Sequence, residues 1–141
     1  MNYKMMQPNL ETPFQVDWEW FELRNIDVNS VVRNQLSYKW RQRFENGLKI
    51  KEVDYINPDT GEVSRMTNMH EVILSECQWE PDYITRDMPL LQSILRLFLA
   101  NHNQPMTVAE IARRLERHDS QAILKVLIAG KVKNGILPII E

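Results

Sequence analysis

A lone thiol, three imidazoles and a set of carboxylates between residues 52 and 62 are the side chains in this sequence with the means to do covalent or metal chemistry. Cys77 is the one cysteine, so no internal disulfide is available and a reducing compartment is the expectation. As a nucleophile it would need a base. His70 lies seven positions earlier, about two turns along a helix and too far for contact without a bend. A packed structural thiol is the simpler reading. His70, His102 and His118 are scattered and no cysteine pair accompanies them, so no metal-ligand spacing arises. Asp54, Asp59 and Glu62 raise the question of a hydrolase. Turn chemistry accounts for Asp59 and Glu62, and Glu52 and Asp54 beside Lys51 do not build a nuclease-like set. The expectation is a non-enzymatic protein without cofactor or metal, with a metal-dependent nuclease as the alternative.

The cations are the remaining candidates. The net charge of -2 is not that of a general nucleic-acid binder, but it is unevenly spread. Residues 89–141 hold seven Lys/Arg against four Asp/Glu, and residues 1–88 hold ten against fifteen. That asymmetry fits a modest basic contact face and equally fits ordinary scatter. A second cluster, Arg33, Lys39, Arg41 and Arg43, fits either phosphate contact or a solvated helix face. A hydrophobic content of 43% and a charged content of 26% exclude wholesale disorder. Seven Met either fill gaps in a core or line an adaptable binding surface. Residues 1–14 contain no apolar signal-peptide region and no run approaches a membrane span, so the expected location is cytoplasmic with no membrane contact.

The elements that must position these groups follow from pattern. After an irregular leader containing Pro8, Phe14, Val16, Trp18 and Trp20 alternate with Gln15, Asp17 and Glu19, which predicts a half-buried strand. Trp18 and Trp20 then either anchor a core or form an exposed strip for a protein partner. A helix capped by Asn29 or Ser30 and ended by Asn46-Gly47 carries an apolar stripe of Val32, Leu36, Trp40 and Phe44. Residues 49–66 predict a β-hairpin around Asn57-Pro58-Asp59-Thr60-Gly61. Thr67 or Asn68 opens a short helix to Cys77 with Met69, Val72 and Ile73 inward and His70 on the polar side or capping. A Pro-broken connector pinned by Trp79 and Tyr83 follows, and we place the unit boundary near Asp87, giving units 1–87 and 88–141.

Residues 88–141 read as three helices and a strand. Pro89 starts the first, with Leu90, Leu91, Ile94, Leu95, Leu97 and Phe98 inward. Thr107-Val-Ala-Glu110 is a capping box opening the second, with Val108, Ile111, Ala112 and Leu115 inward and Arg113, Arg114 and Arg117 in water. Asp119 or Ser120 caps the third, whose core side is Ala122, Ile123, Val126 and Leu127. That helix ends either at Gly130, leaving 131–137 as strand, or near Lys133, with Asn134-Gly135 turning into a strand over 136–140. The second alternative is preferred.

This stretch, T-V-A-E-I-A-R-R-L, a polar turn and a further amphipathic helix, resembles the winged helix-turn-helix superfamily over about the last third of the chain. The whole chain is then α+β. The resemblance implies that residues 119–133 are a recognition helix presenting Ser120, Gln121, Lys125, Lys131 and Lys133 to a DNA groove, with Arg113, Arg114 and Arg117 near phosphates. It implies a DNA-binding regulator or a subunit of a DNA-processing assembly of a phage, mobile element or defence system. Many winged helices hold proteins instead, so a protein–protein adaptor or homodimer module is the alternative. The family's wing has two strands, and only one is legible after the third helix.

Overall fold

The computed structural model describes residues 7–117, 119–129 and 134–139, and the fold is α+β. In chain order the elements are β1 (Pro13–Val16), α1 (Trp18–Leu23), α2 (Val28–Arg33), α3 (Tyr38–Glu45), β2 (Glu52–Ile56), β3 (Val63–Thr67), α4 (Asn68–Ser75), α5 (Leu90–Ala100), β4 (Met106–Thr107), α6 (Val108–Arg114), α7 (Ser120–Ile128) and β5 (Ile136–Pro138). A single 3-10 turn, Cys77–Trp79, follows α4. The described residues fall into two units, one of residues 27–83 and one that joins 1–26 to 84–141. One change of unit falls at Tyr83/Ile84 and another at Ile26/Asp27. Residues 7–26 belong with 84–141, a pairing across the length of the sequence.

In that unit β1 lies between β4 and β5, antiparallel to both, with Phe14 opposite Met106 and Pro138, and Val16 opposite Ile136. Phe14 and Val16 point inward, with Ile94, Phe98, Val108, Ile111, Ile123, Leu127 and Ile136, all at most 3% exposed. The helix starts are local chemistry. Thr107 Oγ1 accepts from Glu110 N–H at 3.2 Å, and Asp119 Oδ1 accepts from Ala122 N–H at 3.0 Å. The Glu110 carboxylate does not reach the backbone of Thr107 as a full capping box would; it accepts from the Thr107 hydroxyl at 3.4 Å. α6 stops where Glu116 turns left-handed (φ 55°) and Arg117 N–H bonds back to Ala112 C=O at 2.9 Å. Gly135, also at positive φ, lies so close to Phe21 that a Cβ there would overlap the ring.

Three sequence expectations need correcting here. The strand of alternating aromatics ends at Val16: Asp17 Oδ1 accepts from Glu19 N–H at 3.0 Å and starts α1, so Trp18 and Trp20 are helical and share no strand face. On α5 the buried positions are Ser93, Ile94, Arg96, Phe98 and Leu99, while Leu91 is exposed. Ser93 is tolerated inside because its hydroxyl donates to Pro89 C=O at 3.2 Å. The third helix ends at Ile128 with Ala129 as its cap, where a stop at Gly130 puts it and short of the preferred end near Lys133, although β5 begins after Asn134-Gly135 as preferred. Residues 130–133, with Lys131 and Lys133, and His118 lie outside the described residues.

Residues 27–83 hold α2, α3, the hairpin and α4. The single helix expected over 29–46 is two, broken at residues 34–37, where Ser37 takes an extended ψ of 156° before α3. Asp27, rather than Asn29 or Ser30, caps α2. Val32, Leu36 and Phe44 are still buried together with Met69 and Ile73. The hairpin register pairs Glu52 with Thr67 and Ile56 with Val63, and its loop closes through Asn57 N–H to Glu62 C=O at 2.9 Å with Gly61 at φ 72°. Thr67 caps α4, and His70 Nδ1 accepts from Thr67 N–H at 3.1 Å to complete a capping box. Burial lowers the His70 pKa to about 4. Tyr83 is buried as expected, but Trp79 is 74% exposed and pins nothing.

Candidate nucleic-acid interface

The exposed residues of α7 are Gln121, Lys125 and Ile128, spaced four and three apart and therefore on one stripe, with Ser120 half-buried at the helix start. α6 ends on exposed Arg113 and Arg114, where the negative end of the helix dipole favours cations. Arg117 is half-buried because its Nη2 donates to the carbonyl of Arg86 at 3.1 Å. That bond holds the backbone of Arg86, a residue that is itself exposed, against Arg117, a contact that a reading of local spacing missed because 31 residues separate the two. Of the acids nearby, Asp119 caps α7 and Glu110 accepts from Thr107, while Glu116 and Asp87 are exposed beside the arginines in sequence. The structure therefore brings Arg113, Arg114, Arg117, Ser120, Gln121 and Lys125 onto two successive helices and the turn between them.

It does not bring Trp18 and Trp20 into a strip. Trp20 is 8% exposed, meets Phe21 edge-on at 5.1 Å between centroids and carries the Arg24 guanidinium 4.1 Å over its ring. Its buried Nε1–H has no hydrogen-bond partner, so the residue is there for apolar packing at some polar cost. Trp18 is half-buried and lines a shallow cleft of about 310 Å³ with Asp17, Asn103, Leu137 and Pro138. The cleft's one carboxylate, Asp17, is engaged in capping α1, which leaves it no acid–base partner there.

Elsewhere Cys77 is buried and its Sγ lies 3.7 Å from Ser37 Oγ, an inert packed thiol without a neighbouring base in that contact. Among the described residues no three His, Cys, Asp or Glu side chains gather where one metal ion would hold them. No helix among them is long and apolar enough to cross a membrane. No protein-family model, curated protein or solved structure matches the chain.

Proposed function

We propose that this is a small nucleic-acid-associated protein, a DNA-binding regulator or a subunit of a DNA-processing assembly, and that α5, β4, α6, α7 and β5 with β1 form a winged-helix-like unit. One observation supports the reading above the others: β1 sits between β4 and β5. β1 thereby joins β4, which precedes α6, to β5, which follows α7, in one antiparallel sheet beside three helices, although it lies some ninety residues from β4 in sequence. In this reading α7 enters a major groove with Gln121 and Ser120 at base edges and Lys125 on phosphate. Arg113 and Arg114 bind the flanking backbone, with Arg117 beside them and the backbone of Arg86 held against it.

Fluorescence anisotropy with a labelled duplex tests it. About three phosphate contacts give a log–log salt slope near −3, and the double variant Arg114→Glu/Lys125→Glu lowers affinity at least tenfold and flattens that slope by about 2. Salt-insensitive binding, or none to any duplex, would sink the reading. Exposed Ile128 on the same stripe favours a second one, a protein adaptor or homodimer docking on α7. Loss of a stoichiometric complex on Ile128→Glu, with no DNA affinity, is its signature.

A further inference from the structure

We propose that α3, in the unit of residues 27–83, carries a separate surface for single-stranded nucleic acid. The helix begins Tyr38-Lys39-Trp40-Arg41-Gln42-Arg43, so rings and cations interleave. Each cation rests near a ring: Arg43 Cζ lies 4.4 Å from the Trp40 centroid, Lys39 Nζ 5.8 Å from the same ring, and Arg41 Cζ 5.9 Å from Tyr38. Among the described residues none of the three pairs with a carboxylate within ion-pair distance; the unit's ion pair, Arg65 with Glu52, is on the hairpin. Residues 27–83 hold seven Lys/Arg against ten Asp/Glu, yet α3 has three cations and one acid, Glu45. Nine of the unit's ten acids lie off this helix, with Glu71 and Glu76 lining a groove beside Trp40, so the cations of α3 are the unit's concentrated positive charge.

The rings decide which polyanion fits. Tyr38 is 69% exposed and Trp79 74%. The Cys77 Sγ–Ser37 Oγ contact at 3.7 Å ties the turn carrying Trp79 to the residue that begins α3. Cations already positioned on ring faces have given up side-chain freedom before binding, and Lys39 and Arg43 are exposed. Phosphates satisfy them, and a splayed base satisfies an exposed ring face. A duplex keeps its bases stacked and would leave Tyr38 and Trp79 unused.

The inference is independent of the duplex reading of α7, and one titration separates them. The full chain is mixed with a labelled oligothymidine of about 15 nucleotides and with a duplex of equal length, between about 50 and 200 mM salt. We expect oligothymidine binding with a log–log slope near −2 and quenching of tryptophan fluorescence. Lys39→Glu/Arg43→Glu lowers that affinity at least tenfold, and Tyr38→Ala about fivefold, each by more than Arg114→Glu/Lys125→Glu does. Lys39→Gln, which keeps an exposed side chain of similar length and loses one cation–ring contact, retains the direction of the effect if the double variant melts early. Absence of oligothymidine binding overturns the proposal. So does a folded double variant that binds as wild type, a duplex bound equally through α3, or equal binding of an acidic polypeptide.

Discussion

Asn103 is the side chain on which the position of β1 most depends. Its Oδ1 accepts from Val16 N–H and its Nδ2 donates to Val16 C=O, both at 2.9 Å, so one amide stands in for a strand where β4 has ended. Val16 is 3% exposed, and water does not replace those bonds freely. Asn103 also sits in the left-handed region at φ 57°, which asparagine tolerates better than alanine. Asn103→Ala strands a buried donor and a buried acceptor at about 1–3 kcal/mol each, with about 1 kcal/mol more for a Cβ residue at that φ. We expect a loss of about 3–7 kcal/mol, a large share of a domain's usual stability. Asn103→Gly removes the same hydrogen bonds without the φ penalty, so it should be about 1 kcal/mol milder than alanine. Asn103→Asp keeps the acceptor alone and should fall between wild type and alanine. Urea denaturation followed by circular dichroism gives the free energies, and hydrogen exchange at the Val16 amide reports the bond directly. An alanine variant within 0.5 kcal/mol of wild type (about the error of such a measurement), or Val16 exchange unchanged, would refute the reasoning.

Two further outcomes follow from single residues. His70 has a folded pKa of about 4 against an ordinary 6.5, so the unfolded chain takes up the proton first: stability is fully present above pH 6.5 and declines, by about 3 kcal/mol, as pH falls to 4. His70→Gln, which preserves a capping box with Thr67, should flatten most of that decline in a pH series of melts; the remainder comes from His102, whose pKa burial lowers in the same direction. Glu116 occupies a left-handed position at the end of α6, so Glu116→Gly should stabilise the protein by about 0.5–1 kcal/mol in urea denaturation, and a destabilised variant would contradict the strain.

What was legible in the sequence is what short-range chemistry controls. Thr107 and Asp119 each cap a helix through an N–H three residues on, and Asn57 through Gly61 close a hairpin loop within six residues. Periodicity alone misled at residues 14–20, because Trp18 and Phe21 also satisfy a helical spacing and meet at 5.6 Å once Asp17 caps the helix. Likewise Val32, Leu36, Trp40 and Phe44 keep a four-residue period across a break, so the stripe hid the end of α2 and the start of α3 at Ser37. Arg96 reads as a solvent position on an otherwise apolar helix, and only its tertiary surroundings make it 9% exposed. Of the candidate interface, the α6 and α7 residues were visible as exposed polar positions, whereas Arg86 enters through a bond to a residue 31 positions away.

The strand completing the C-terminal sheet shows why such a reading has a limit. Helix caps and hairpin turns leave marks in the residues that form them, because both partners of each bond lie within a few positions. A strand pairing leaves only an apolar alternation on each side, and the alternation does not name its partner. Pro13–Val16 has two such partners, β4 and β5, reached across closed loops of about ninety and one hundred and twenty residues. Loop-closure entropy grows only slowly with length, so pairing across that distance costs little more than across a short loop. The sheet therefore selects the segment that best buries Phe14 and Val16, and nearness in sequence does not decide the choice. The same argument explains why Asn103 carries side-chain bonds to Val16: with β4 only two residues long, backbone pairing alone holds β1 on that side at Pro13 and Phe14, and the amide extends the grip to the last inward residue before α1.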